Sequence, residues 1–205
     1  MSTLKTNKLV HTANGASEFT LPQTDGSAGQ VLQTNGSGVL SWVSLPTPGI
    51  TMADQWRRTA NLSINNAENF LTTDWERVDS SGQGTITSGG GMTESGGIFT
   101  FPSTGIYKVE WQCYFEDTGS APVNVADIYV TTNNSTYSNR ASSLTSVENV
   151  GTYSYGAVHC QTFVDVTDVT QVKVKFRVYS SGSVVIDTSS NDNRNCATFI
   201  RLGDT

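Results

Sequence analysis

One stretch decides the fold: residues 97–111 read GIFTFPSTGIYKVEW. After Gly105, every second residue is large and apolar, from Tyr107 to Phe115, whereas polar residues such as Lys108 and Glu110 lie between them. This alternation has the period of a β-strand, so it predicts a strand that buries one face and exposes the other. Gly105 permits a tight turn immediately before this strand, since glycine lacks a Cβ atom.

The same alternation recurs in residues 171–179, and further strands are predicted at 123–131, 153–166 and 196–202. The outward row Lys173, Lys175 and Arg177 predicts a solvated face that discourages edge pairing, with an acidic glycan contact as the alternative. No window carries a helical stripe, so many short strands favour an antiparallel sandwich or barrel. Its predicted core residues are Phe99, Gly105, Tyr107, Val109, Trp111, Phe115, Val174 and Phe176.

Composition narrows the possible functions. The 205 residues are 36% hydrophobic and only 15% charged, with a net charge of −6. This balance disfavours a nucleic-acid partner, which calls for a basic face, and no apolar run is long enough to insert into a membrane. The first residues lack a signal peptide's apolar segment, so we expect folding in the cytosol with free, buried thiols at Cys113, Cys160 and Cys196.

Residues 1–44 differ from the rest because their large apolar residues are sparse. The motif QTDGS at 23–27 returns as QTNGS at 33–37, and Asp-Gly and Asn-Gly are strong turn signals. We predict an extended N-terminal arm that becomes ordered against other subunits or another protein; a frayed linker is the alternative. Residues 45–49, with two prolines and a glycine, form the predicted linker, and residues 50–205 the folded domain. The expected contact residues of the arm are Val31, Leu32, Leu40 and Trp42.

Catalytic chemistry is poorly represented. The chain has two histidines and no zinc, phosphate-loop or nucleophile-elbow motif, so we expect no enzyme. The turn at 187–195 is rich in oxygen ligands, which makes Asp187 and Asp192 weak calcium candidates. This turn lacks the glycine and distal glutamate of an EF-hand, so a solvated turn is the preferred interpretation. No cofactor is expected.

Residues 97–111 resemble the central motif of C1q/TNF-like domains, in which a phenylalanine precedes a glycine by six residues and alternating aromatics follow. Phe99, Gly105, Tyr107 and Trp111 match this motif, whereas Val109 stands where an aromatic is usual. Residues 197–202 look like the last strand of the family. The resemblance implies an all-β, C1q/TNF-like antiparallel jelly-roll sandwich that forms a trimeric knob behind the N-terminal arm.

If the domain forms a trimer, the predicted strand at 153–166 is a candidate for the contact between subunits. Tyr153, Tyr155 and His159 share a face that would be exposed to solvent in a monomer. Tyrosine is enriched at protein interfaces. We therefore predict that these three residues line the contact between copies. Exposed strand tyrosines without a partner are the alternative.

A second resemblance is to bacteriophage tail-fibre and appendage proteins. It is carried by residues 21–42, LPQTDGSAGQVLQTNGSGVLSW, and by residues 54–57 and 199–204. It implies a structural virion protein assembled in the host cytoplasm: a homotrimeric, fibre-like tail or neck appendage. Its arm would bind other virion proteins, and its knob would contact a host surface glycan or protein. The alternatives are a trimeric capsid decoration (cement) protein and a host receptor- or glycan-binding module.

Overall fold

The fold was determined from a computed structural model, which describes residues 6–10, 18–45, 49–87, 90–117, 119–151 and 153–205. The chain forms two compact units, Met1–Gly49 and Ile50–Thr205. The boundary between the units falls at the predicted linker, residues 45–49. Residues 46–48 of this linker lie outside the described residues, and so do residues 1–5 and 11–17 of the predicted arm.

The described residues form fifteen strands and no helix, so none of them belongs to a helix that could cross a membrane. The predicted all-β class is confirmed. In chain order the strands are β1 Lys8–Val10, β2 Glu18–Thr20, β3 Gln30–Thr34, β4 Leu40–Ser44, β5 Ala53–Arg58, β6 Leu62–Phe70, β7 Trp75–Arg77, β8 Thr93–Ser95, β9 Ile98–Thr100, β10 Gly105–Asp117, β11 Ala121–Thr131, β12 Tyr137–Val147, β13 Ser154–Val166, β14 Lys173–Ile186 and β15 Cys196–Gly203.

The smaller unit consists of two antiparallel hairpins, β1–β2 and β3–β4. In the turn between β3 and β4, the side-chain oxygen of Asn35 accepts hydrogen bonds from the backbone N–H groups of Ser37 (2.9 Å) and Val39 (3.2 Å). Gly36 in this turn has a φ of 79°, which favours glycine. The Asn-Gly motif therefore acts as the hairpin turn that its sequence predicts.

The larger unit is one extended antiparallel sheet that folds over on itself. We call β7–β5–β15–β10–β13 the front sheet and β6–β14–β11–β12 the back sheet. Strand β14 joins them, because its residues 173–180 pair with β11 and its residues 184–186 pair with β10. The buried faces of both sheets contribute to one continuous hydrophobic cluster.

Aromatic side chains dominate the centre of this core. The ring of Trp111 on the front sheet lies 5.0 Å from that of Phe176 on the back sheet, and Phe99 lies 5.4 Å from Phe176. The structure buries all eight residues predicted for the core. Gly105 has a φ of 139°, and a Cβ atom there would lie 2.5 Å from the carbonyl oxygen of Gly203. The close approach of these two strand ends therefore requires glycine.

The three cysteines are free and buried. Burial raises the pKa of Cys160 and of Cys196 to about 12, and it also raises the pKa of the Cys113 thiol. Reactive thiolates are consequently scarce at neutral pH.

The outward row on β14 is less solvated than its sequence suggests. Lys175 Nζ lies 3.7 Å from the ring centroid of Phe70 and 4.2 Å from that of Tyr137, and desolvation lowers the pKa of this lysine. Arg177 forms ion pairs with Glu68 and with the fully buried Asp127. Rings and carboxylates therefore already hold two of the three cations, which argues against this row as a free site for an acidic glycan.

Candidate subunit interface

Strand β13 presents an unpartnered aromatic row to solvent. Its side chains alternate as predicted: Val158, Cys160 and Val164 are buried, and His159, Gln161 and Phe163 are exposed. The solvent side carries Tyr155 and Phe163, which are 55% and 68% exposed, and Tyr153, just before the strand, is 60% exposed. In a monomer, all three rings would be exposed to solvent.

We call the solvent side of β13, β10 and β15 the front face. Strand β10 lies beside β13, with Tyr114 opposite Ala157 and Glu116 opposite Tyr155. The ring of Tyr155 lies 6.3 Å from that of Tyr114 and stacks at 6.5 Å on that of Tyr153. Desolvation, followed by the nearby carboxylates of Glu116 and Asp187, raises the pKa of Tyr155, so its hydroxyl stays protonated and can donate a hydrogen bond.

Tyr114 and Tyr155 border a groove of about 490 Å³ at one end of the front face. The opposite wall is the turn between β14 and β15, which is fastened to the sheet by hydrogen bonds. Gln112 donates to the carbonyl oxygen of Asn193 (3.0 Å), and the backbone N–H of Tyr114 donates to the side-chain oxygen of Asn195 (3.0 Å). A fixed wall beside the exposed ring of Tyr155 and the half-buried ring of Tyr114 suits a protein side chain from a partner.

A charged cluster occupies the middle of the front face. Lys108 Nζ lies 2.5 Å from Glu110 Oε1, and His159 Nε2 lies 3.9 Å from the same oxygen. The predicted interface residue His159 is thus brought next to a carboxylate. Because the lysine and the carboxylate neutralise each other within one copy, a second copy can approach this region without strong like-charge repulsion.

Phe163 lies on the front face beside the charged cluster, and it was not among the interface residues predicted from the sequence. It lies opposite Lys108 on β10, which in turn lies opposite Ile200 on β15. Phe163 and Lys108 line a second groove, of about 300 Å³. The signal was present in the alternation, since Phe163 falls on the same side as Tyr155 and His159.

The two calcium candidates are held by a cation that belongs to the protein. Arg194 forms ion pairs with Asp187 and with Asp192, the latter at 3.3 Å. The described residues contain no group of three or more metal-binding acidic, histidine or cysteine side chains. This geometry favours the ion-paired turn over a calcium site.

The predicted arm contacts lie on the β3–β4 hairpin. Val31 and Leu32 on β3 are exposed, whereas Leu40 and Trp42 on β4 are half-buried. The Trp42 indole donates a hydrogen bond to the carbonyl oxygen of Thr24 (3.0 Å), and Gly26 packs under its ring. The indole N–H and the ring of Trp42 therefore already have contacts within the smaller unit. Val31 and Leu32 remain available for a partner.

Comparisons with known proteins connect this architecture to a fold. No protein-family model matches the chain, and no curated protein is significantly similar to it in sequence. Among solved structures, murine APRIL at pH 5.0 superposes with a TM-score of 0.52 at 12% identity, over 74% of this chain and 98% of that one. Eiger TNF from S. frugiperda superposes with a TM-score of 0.53 at 12% identity, over 77% of this chain and 96% of that one. The chain therefore has the C1q/TNF-like jelly-roll fold that residues 97–111 predict.

Proposed function

We propose that the chain is a structural protein of a phage virion, a homotrimeric fibre-like tail or neck appendage. The jelly roll forms the projecting knob, and residues 1–44 attach it to other virion proteins. The proposal assigns no catalytic activity and no cofactor. Capsid decoration and host-receptor binding are the alternatives that the experiments below separate.

The main support for self-association is the set of exposed aromatic rings on the front face. Tyr153, Tyr155 and Phe163 place three exposed aromatic rings on one side of the front sheet. Aromatic side chains are enriched at protein interfaces. The jelly-roll fold adds support, because C1q/TNF-like domains typically pack as trimers about a three-fold axis.

Support for a virion role comes from the smaller unit. No described residue of this unit is buried, although β1 carries the exposed apolar side chains of Leu9 and Val10. A segment that cannot bury its apolar side chains within one chain suits attachment to something else. Residues 21–42 also resemble segments of phage tail fibres.

The first experiment is the mass of the purified full chain by light scattering. The proposal expects three times the 22.0 kDa of one chain. Phe163→Glu should shift the protein toward monomers, because it places a charge in the contact. Val123→Glu is the matched control, since Val123 is also exposed and apolar but lies on the back sheet. A wild-type monomer would rule out the trimer.

The second experiment locates the protein by cryo-EM of the phage particle that incorporates it. Density for the knob at the tail or neck supports the appendage, whereas density on the capsid surface supports decoration. Deleting residues 1–45 should abolish incorporation into the particle. If the truncated knob still binds host cells and blocks adsorption, the receptor-binding alternative gains support.

A further inference from the structure

The β3–β4 hairpin is apolar on both faces. Val31 pairs with Val43 on one face, and the neighbouring pair, Leu32 with Trp42, points to the other face. Strands with apolar residues on both sides are typical of sheets that are covered on both sides. Two strands alone are only marginally stable in water, so this hairpin requires a cover.

The smaller unit supplies only part of that cover. The turn around Gly26 packs against Trp42, so closely that a Cβ atom on Gly26 would lie 2.6 Å from the indole. Strand β2 touches the end of the hairpin through a single bridge, Thr20 to Val39. Val31, Leu32 and Val39 nevertheless stay exposed.

The edges of the hairpin lack the usual protection against pairing. Natural proteins block exposed strand edges with lysines, prolines or inward charges. Residues 26–45 contain no proline, and residues 26–53 contain no Asp, Glu, Lys, Arg or His. An unblocked edge is a template for an added strand, since its backbone N–H and C=O groups are free to pair.

We propose that the β3–β4 hairpin packs against the same hairpin in the other copies of the chain, so that the smaller units form one shared stalk. This inference rests on the proposed trimer. A second copy is the occupant that the charge pattern favours, because identical uncharged segments meet without like-charge repulsion. The short connection at residues 45–49 also holds three such hairpins at a high effective concentration once the knobs associate.

The test measures distances between copies in the full chain. A spin label is attached to Gln33→Cys, an exposed position on β3, and the matched control carries the label at Ser142→Cys on the back sheet. The native cysteines are buried with raised pKa values, so the reagent selects the introduced thiol. Labels at residue 33 should lie within about 20 Å, two sheet spacings, and labels at residue 142 much farther apart.

Two readouts separate this inference from the trimer itself. A trimeric mass with long, broad distances at residue 33 would overturn the shared stalk while leaving the trimer intact. A monomeric mass would overturn both. Leu32→Ser should broaden the residue-33 distances in a protein that remains trimeric, whereas Thr34→Ser, at an exposed polar position of the same strand, should leave them unchanged.

Discussion

Two completely buried carboxylates in the jelly roll have opposite surroundings. Asp54 accepts hydrogen bonds from Arg77 Nε (3.0 Å) and from the backbone N–H of Met92 (2.8 Å). Asp117 accepts one from the backbone N–H of Gly119, and its second oxygen is buried with no partner among the residues that the structure describes. Among the described residues, no cation lies within ion-pairing distance of Asp117. A buried charge without a counter-ion is costly.

Because of this contrast, we predict that removing the charge of Asp117 stabilises the fold and that removing the charge of Asp54 destabilises it. Asp117→Asn should raise the free energy of unfolding by about 1 kcal/mol, because it removes the charge and keeps the oxygen that accepts from Gly119. Asp54→Asn should lower that free energy by about 2 kcal/mol, because Arg77 loses its anionic partner and keeps only the carbonyl oxygen of Met92 and the ring of Trp56. Urea denaturation of the two variants and the wild type measures both changes. A destabilised Asp117→Asn would mean that the carboxylate has a partner of its own.

Gly105 determines how β10 begins. Gly105→Ala should destabilise the jelly roll by about 2 kcal/mol, because the residue has a φ of 139° and its Cβ atom would press on the backbone of Gly203. Gly203→Ala is the control, since no atom lies within 4 Å of the Cβ position there. Thermal unfolding compares the two variants, and equal melting temperatures would contradict this account.

At the scale of elements, one buried guanidinium fastens the first part of the segment that follows β7, whereas two backbone hydrogen bonds between Ile86 and Ala53 hold its last part. Arg57, on β5, is almost completely buried and donates hydrogen bonds to Glu76 (2.7 Å), Asp79 (3.0 Å), Ser80 (3.0 Å) and Gln83 (3.1 Å). Three of these acceptors, Asp79, Ser80 and Gln83, lie on the glycine-containing segment after β7 and hold it against the front sheet, whereas Glu76 lies on β7 itself. The segment should therefore open when this side chain is shortened or neutralised.

Arg57→Gln should make residues 79–84 accessible to proteases while leaving the core intact. A neutral, shorter side chain cannot span the same four acceptors, and it leaves Glu76 without its partner. Limited proteolysis with mass spectrometry locates the first cut. Arg140→Gln, an exposed change on β12, should retain the wild-type pattern. A first cut elsewhere would show that other contacts hold the segment.

Strands with strong alternation could be predicted from the sequence, and strands without it could not. β10, β11, β13, β14 and β15 each bury alternate apolar residues, which gives the period that identifies them. β6 buries only Ile64 and is bent by Asn66, whose φ is 45°, while β12 is rich in serine and buries only Val147. Pairing with β14 and β11, rather than local pattern, makes these two segments strands.

The candidate interface was predictable in part for a related reason. The outward position of Tyr155 and His159 follows from the period of β13 alone. The neighbours of these residues do not, because Tyr114, Glu110 and Arg194 reach the same face through pairing between strands far apart in the chain. Register over such distances is set by tertiary packing, which one strand's sequence does not encode.

At the scale of the whole molecule, the two units should be separable. The larger unit contains the entire buried core, and its front face carries the proposed trimer contact. A fragment of residues 50–205 should therefore fold cooperatively and have a mass of three fragments. Circular dichroism and light scattering test this expectation. A folded but monomeric fragment would assign the oligomerisation to the smaller unit.

The pairing of β5 with β15 has a consequence for synthesis on the ribosome. Ala53, near the start of the jelly roll, pairs with Ile200, so the front sheet cannot be completed before the last strand has left the ribosomal tunnel. Contacts so distant in sequence slow folding, and elongation at about 5–20 residues per second adds a further delay. The β3–β4 hairpin, which we propose to pair between copies, emerges long before this point, on a nascent chain that has no completed knob. Neighbouring nascent chains on the same messenger RNA therefore expose their hairpins to one another before any knob can hold three copies together.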